Sequence, residues 1–298
     1  MNEAFLDALL ARQNDDGGWG ALEGAASDSE CTALAVLALD RSSAPADPLV
    51  RGEQWLLGRQ ESDGAWRYRD QGPIARWPTP IVILALRGRG HGTAVARGLD
   101  WLVALKGERF PLLLRIREFL SASKTVELDT TLDGWPWAEG TFAWVEPTSW
   151  ALIAMKTWND GGSRDARARI REGEQMLLDR ACPDGGWNYG NKRVLDVALE
   201  PYPDTTALAL MALHGRRAPE VDTGFVALDR LLGENASGLA LALATLSRKA
   251  WGRASDDLVT RLMVRYEEGQ FLGETRTLVL AALATEPGPG WFGAARDA

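Results

Sequence analysis

GEQMLLDRACPDGGWNY, residues 173–189, repeats GEQWLLGRQESDGAWRY, residues 52–68, at a distance of 121 positions and without a gap. Gly, Glu, Gln, Leu, Leu, Arg, Asp, Gly, Trp and Tyr recur in step. The Asp-Gly-x-Trp core returns near the N-terminus, where Arg12-Gln13-Asn14-Asp15-Asp16-Gly17-Gly18-Trp19 aligns with Arg59-Gln60-Glu61-Ser62-Asp63-Gly64-Ala65-Trp66. Asp133-Gly134-Trp135 is a shorter copy, and before Asp184 to Trp187 the Gln position is Ala181.

Thirteen residues after Trp19, Trp66 and Trp135, and nineteen after Trp187, a Thr opens an apolar run. The runs align: TALAVLAL from Thr32, TPIVILAL from Thr79, TSWALIAM from Thr148 and TALALMAL from Thr206. SGLALALATL from Ser237 and TLVLAALAT from Thr277 have the same texture without the Trp motif before them. Each run is apolar nearly all round, as a helix buried on every side should be. The segments before them, FLDALLARQ, VRGEQWLLGRQ, GLDWLVAL, EGEQMLLDR, FVALDRLLG and LVTRLMVRY, are amphipathic instead. Alternation of the two kinds at about 50 residues per pair predicts an all-α (α/α)6 toroid. Residues 1–298 then form one domain of six helical hairpins, with the all-round helices inside.

In each copy the outer helix ends, Asp-Gly supplies a left-handed turn that a Cβ resists, and Trp packs back across the junction. Trp19, Trp66 and Trp187 are therefore read as braces. The third pair departs, because GERFPLLLRIREFLSASKTVELDTTLDG separates its outer helix from Trp135. LLLRIREFL within it fits an additional helix over one mouth of the ring.

At 298 residues, 46% hydrophobic and 25% charged, the chain has the balance of a soluble globular protein with a substantial core. The net charge of -8 and the lack of a basic run interleaved with aromatics argue against nucleic acid as a partner. MNEAFLDALLARQ is acidic and amphipathic, unlike a secretion signal. No apolar run reaches the roughly 20 residues that span a bilayer, so contact with lipid would be peripheral. Cys31 and Cys182 are the only cysteines, which fits a reducing cytoplasm rather than a disulfide framework. With His91 and His214 the only histidines and no Asp-x-Cys, a zinc site is not expected. Asp15-Asp16 and Asp256-Asp257 lack the third acid of a magnesium–diphosphate cluster. No metal or cofactor is expected.

Gln-x-x-Asp-Gly-x-Trp followed by an inner helix opening at Thr resembles the Trp-containing repeats of the squalene-hopene and oxidosqualene cyclases. Their toroid is shared with protein prenyltransferase β subunits. The resemblance covers residues 1 to about 215 by motif and the remainder by helical texture. Family cyclases of the protonating class carry Asp-x-Asp-Asp-Thr-Ala at the start of one inner helix, the middle Asp being the acid. Tyr202-Pro203-Asp204-Thr205-Thr206-Ala207 falls in that register, with Tyr202 and Thr205 in place of the flanking acids. The resemblance thus implies Asp204 as a proton donor and a polyprenyl substrate, a small hydrophobic isoprenoid ligand. Family triterpene cyclases pair two helical domains, where these residues make one.

A cation developing on carbon needs aromatic faces, and Trp135, Trp137, Trp144, Trp150, Trp187 and Tyr189 cluster around the third and fourth junctions. The register of Asp204 holds Glu30, Trp77, Glu146, Asn235 and Thr275 in the other repeats. Parallel inner helices would set these around one mouth and make Glu30, Glu146 and Asp204 convergent. The candidate site is then Asp204 and Glu146 as catalytic groups, with Glu30, Trp77, Trp137, Trp144, Trp150, Tyr189 and Tyr202 against substrate. Helix capping accounts for the same acids: Ser27-x-x-Glu30 is a capping box, Glu146 precedes a Pro suited to a first turn, and Asp204 stands at an N-cap. Two other functions fit these residues. One is a non-catalytic toroid holding an isoprenoid, a lipid or a partner, which the loss of the flanking acids favours. The other is a carbohydrate-active toroid, for which paired carboxylates and Trp platforms are suited.

Overall fold

The computed structural model describes residues 2–72, 74–108, 128–158, 163–269, 271 and 273–287, so the helix expected over LLLRIREFL lies outside the described residues. Among the described residues the fold class is all-α, with twelve helices and one two-stranded ladder. The six apolar runs are the helices α2 (Ser29–Leu39), α4 (Thr79–Leu86), α6 (Val145–Thr157), α8 (Pro203–Ala212), α10 (Gly238–Ala250) and α12 (Thr275–Thr285). Every residue of α2 and of α4 is buried, as their lack of a polar face requires. The one-sided segments are α1 (Asn2–Leu10), α3 (Ala46–Leu57), α5 (Gly92–Ala104), α7 (Arg164–Asp179), α9 (Pro219–Leu231) and α11 (Asp256–Glu267). In these a single stripe is buried, in α9 Val221, Gly224, Phe225, Ala227 and Leu228.

The chain forms two compact units, residues 1–104 with 236–298, and residues 105–235. In the first, α2 packs between α4 and α12, and α12 packs on α10, so the last apolar helix lies against the first. Thr275 N–H donates to the Ala21 carbonyl at 2.9 Å, and Phe5 meets Tyr266 with ring centroids 4.6 Å apart. In the second unit α6 packs on α8, with α7 and α9 as their one-sided partners.

The Trp motif closes the junctions by recurring contacts. Indole Nε1–H of Trp19, Trp66 and Trp187 donates to the carbonyl of Leu9, Leu56 and Leu177, at or near the end of the preceding one-sided helix. Backbone N–H of Trp19, Trp66, Trp135 and Trp187 donates to Oγ1 of Thr32, Thr79, Thr148 and Thr206, which fixes the start of the next apolar helix. Each ring then fills the space beside a glycine of the following one-sided helix. A Cβ at Gly52, Gly98, Gly173 or Gly224 would come within 2.9, 2.8, 2.7 and 2.6 Å of the rings of Trp19, Trp66, Trp135 and Trp187.

The left-handed turn is present at Gly17, Gly64 and Gly185, with φ of 91°, 100° and 84°. Gly134 does not adopt it, because the shorter third copy places Asp133 where the others have that glycine. Gln13 Nε2 donates to the Gly17 and Pro48 carbonyls, and Gln60 Nε2 to those of Gly64 and Ala94, tying the turn to the next helix start. The longer spacing after Trp187 is occupied by the antiparallel pair β1 (Arg193–Val194) and β2 (Val197–Ala198).

Candidate active site

Trp144, in extended backbone, precedes α6, and Tyr202, also extended, precedes α8. The segment from Trp187 to Tyr189 is stitched to both helix starts: Tyr202 N–H donates to the Trp187 carbonyl at 2.9 Å and Val145 N–H to the Tyr189 carbonyl at 3.0 Å. Glu146 and Asp204 occupy the first turns of these helices, where the dipole favours a carboxylate. The Tyr189 phenol feels both. Burial first, then Asp204, Tyr202 and Glu146, push its ionisation above the ordinary value. The Tyr189 and Tyr202 rings lie 5.1 Å apart at 42°, and both are substantially exposed. Trp144, half-buried, lies against Gly190. Glu146 is buried and Asp204 half-buried, so the second unit brings together two acids, two tyrosines and one tryptophan.

Asp204 is not an N-cap. Pro203 takes the first helical position, which its fixed φ suits, and Asp204 falls inside the first turn behind Tyr202. Trp150 is fully buried in the middle of α6, a core position with no face toward solvent. Trp137 is half-buried on the loop after Trp135, and Asn235 is exposed.

Glu30 and Trp77 belong to the first unit. The capping box expected from Ser27 and Glu30 does not form. Asp28 is the cap instead, its Oδ1 accepting from Cys31 N–H at 2.8 Å, while Ser27 Oγ donates to Asp16 Oδ1 in the Trp-motif loop. Glu30 is buried and paired with Arg276, Oε1 to Nε at 3.2 Å. Trp77 is tilted against Tyr68 at 5.6 Å, and burial, with Asp28 and Glu30 beside it, pushes the Tyr68 phenol up to about 12. Thr275 is fully buried.

Asp28 and Arg276 were not legible as partners in this cluster, since only the pairing of α2 with α12 brings residues so far apart together. Asp133 did carry a signal. It stands two residues before Trp135, where the other copies carry Gly17, Gly64 and Gly185. Its carboxyl is buried, and burial pushes it above the ordinary range against the guanidinium of Arg169 and the Gly107 N–H.

Among the described residues no group of three or more His, Cys, Asp or Glu side chains is placed to hold a metal ion. No described helix is long and apolar enough to cross a membrane.

No family model matches the chain. A drimenyl diphosphate synthase of Streptomyces showdoensis is 38% identical over 102 residues, 31% of this chain and 19% of that protein. This chain therefore aligns with about a fifth of that relative's length. Among solved structures, the type II terpene cyclase MstE from Scytonema superposes with a TM-score of 0.53 at 18% identity, over 89% of this chain and 77% of that one. An alpha-amylase from Clostridium perfringens superposes with a TM-score of 0.64 at 9% identity, over 95% of this chain and 97% of that one. Both likenesses are likenesses of fold. The chain has the all-α fold of the terpene cyclase-like α/α toroids.

Proposed function

We propose that the chain is a terpenoid cyclase-like protein that takes a polyprenyl substrate and acts on it by protonation. The observation that carries this reading is the convergence of Asp204 and Glu146 on Tyr189, from two adjacent helix starts. Asp204 gives the carboxylic proton to the terminal alkene carbon of the chain, forming a C–H bond and leaving the positive charge on the neighbouring carbon. Trp144, Tyr189 and Tyr202 offer π faces to that cation. The next alkene closes a ring on it, and Glu146 takes a proton from the final cation. One proton is given and one taken, so the product is a cyclic isomer of the substrate. Trp137 is proposed as part of the aromatic set. The identity with a drimenyl diphosphate synthase supports a prenyl diphosphate among the substrates to be tried.

Incubation with a series of polyprenyl diphosphates and with squalene, followed by product analysis, tests the reading. A cyclic isomer is expected from the wild type. Asp204→Asn keeps the shape of the side chain and removes the acidic proton, so turnover should vanish while the melting temperature holds. Near-normal turnover in that variant ends the proposed mechanism. Saturable binding of a substrate without turnover by the wild type would replace it with the non-catalytic isoprenoid holder.

A further inference from the structure

The excursion between Tyr189 and Tyr202 carries apolar side chains that stand exposed. Its strands β1 and β2 are joined by Leu195 and Asp196, both left-handed with φ of 49° and 60°, in a two-residue turn that favours Asn and Gly. A bulky side chain resists that conformation, and Leu195 regains nothing by burial, being 69% exposed. Val197 is 62% exposed and Leu199 39%. Leu199 N–H donates to the Lys192 carbonyl at 3.0 Å, continuing the pairing of Arg193 with Ala198 and Val194 with Val197. Val194, Val197 and Leu199 therefore share one face of the hairpin, with Leu195 at its tip. At its root the Lys192 ammonium lies 3.6 Å from Asp179, the last residue of α7. Tyr189 and Tyr202, whose rings meet, stand where the excursion leaves and returns.

We propose that the hairpin tip rests in the surface of a neutral lipid bilayer, with Leu195, Val197 and Leu199 against the upper acyl chains. Strain kept at an exposed leucine points to a use outside the folding of the chain. Area and charge choose the occupant. Three partly exposed side chains offer far less than the roughly 800 Å2 that each partner of a stable protein complex buries, so this face alone holds neither a second copy nor another folded protein. Hydrocarbon requires no matching shape, and apolar side chains enter it in proportion to the area covered. Residues 192–200 set Lys192 and Arg193 against Asp196 and Glu200, and the whole chain carries -8, so an anionic surface repels it and a zwitterionic one does not. Asp196 keeps the insertion shallow, because a carboxylate is unfavourable in hydrocarbon. The contact would hold Tyr189 and Tyr202 near the membrane, where a polyprenyl chain dissolves, and only this consequence rests on the proposed substrate.

Flotation of the full chain with phosphatidylcholine vesicles, and with vesicles in which part of that lipid is replaced by phosphatidylserine, tests it without substrate or turnover. The wild type should float with neutral vesicles and about tenfold less with anionic ones at low salt. Leu195→Ser with Val197→Ser should lower partitioning into neutral vesicles about tenfold or more, while Val226→Ser, which removes a side chain 72% exposed on α9, should leave it unchanged. If the wild type stays with the soluble fraction, or binds anionic vesicles more tightly than neutral ones, the inference is wrong. It is equally wrong if the double variant floats as the wild type does. Light scattering supplies the remaining outcome: a wild-type dimer that the double variant turns into a monomer would make this face an interface between copies and overturn the membrane contact. Failure of any of these leaves the protonation reading to its own product analysis.

Discussion

Trp187 N–H donates to Thr206 Oγ1 at 2.9 Å, and the same hydroxyl donates back to the Trp187 carbonyl at 3.1 Å. Trp19 and Thr32 make the same reciprocal pair across thirteen residues, although nineteen separate Trp187 from Thr206. The pair fixes the start of the apolar helix whatever the loop between them does. Thr206→Val keeps the shape but leaves a buried N–H unpaired, at an expected cost of about 1–3 kcal/mol. Thr206→Ser should recover most of it. Urea denaturation of both variants gives the answer, and a Val variant as stable as the wild type would remove the pair from the account of the junction.

Gly224→Ala should destabilise by about 1–3 kcal/mol, although alanine is the better helix former, because the added Cβ would stand 2.6 Å from the Trp187 ring. Trp187→Ala, which removes a fully buried ring, should cost about 3–5 kcal/mol. The double variant should be more stable than the sum of the two predicts, since the alanine then enters space that the ring has left. Gly92→Ala, with nothing within 4 Å of its Cβ position, is the control and should change little. Strict additivity in the double variant would show that the glycine does not serve the ring.

The alternation of buried and one-sided helices was legible because burial on all sides leaves no polar face, and α2 and α4 show it in full. The Thr after each Trp was legible as a spacing, and its hydroxyl is the physical cause. The socket glycines were not, because a lone glycine in a helix shows nothing of the ring that reaches it from another element. The caps were misread where neighbouring residues competed. Ser27 was free to be a cap by type, but the helix opens at Ser29, so Asp28 holds the cap position and accepts from Cys31 N–H, while Ser27 donates to Asp16. Of the candidate site, first-turn acids could be found by register alone, whereas the pairing of Glu30 with Arg276 depends on which helices pack together.

Asp28 is fully buried, and burial pushes its carboxyl above the ordinary value against the Cys31 N–H and the Arg69 guanidinium, 3.8 Å away. With the folded-state value above the unfolded one of about 3.9, the folded protein binds more protons between the two. The stability this group contributes is therefore full below the unfolded value and is lost as pH rises through the folded one. Asp28→Asn does not ionise and still accepts from Cys31 N–H. It should be at least as stable as the wild type at neutral pH and should flatten the fall of stability across that window. Asp28→Ala loses the cap and should lie about 1 kcal/mol below the Asn variant at every pH, since neither side chain ionises. Urea titrations at a series of pH values separate the three proteins, and an Asn variant clearly less stable than the wild type at neutral pH would show that the charge is no burden.

Tyr189 reports on the acids that face it. Its phenol is held above the ordinary value by burial, then by Asp204, Tyr202 and Glu146, so removing either carboxylate must make the phenolate easier to form. Asp204→Asn and Glu146→Gln should each lower the pH at which Tyr189 ionises, Asp204→Asn the more, and the double variant should lower it furthest. The chain has four tyrosines, so the ultraviolet titration is read as a difference against Tyr189→Phe. Salt gives a second check, because Tyr189 is half exposed and added electrolyte should shrink the carboxylate effect without touching the part due to burial. The measurement requires neither a substrate nor an assay. A titration indifferent to both substitutions would mean that the two acids do not converge on Tyr189 in solution, and the proposed proton transfer would lose the geometry on which it rests.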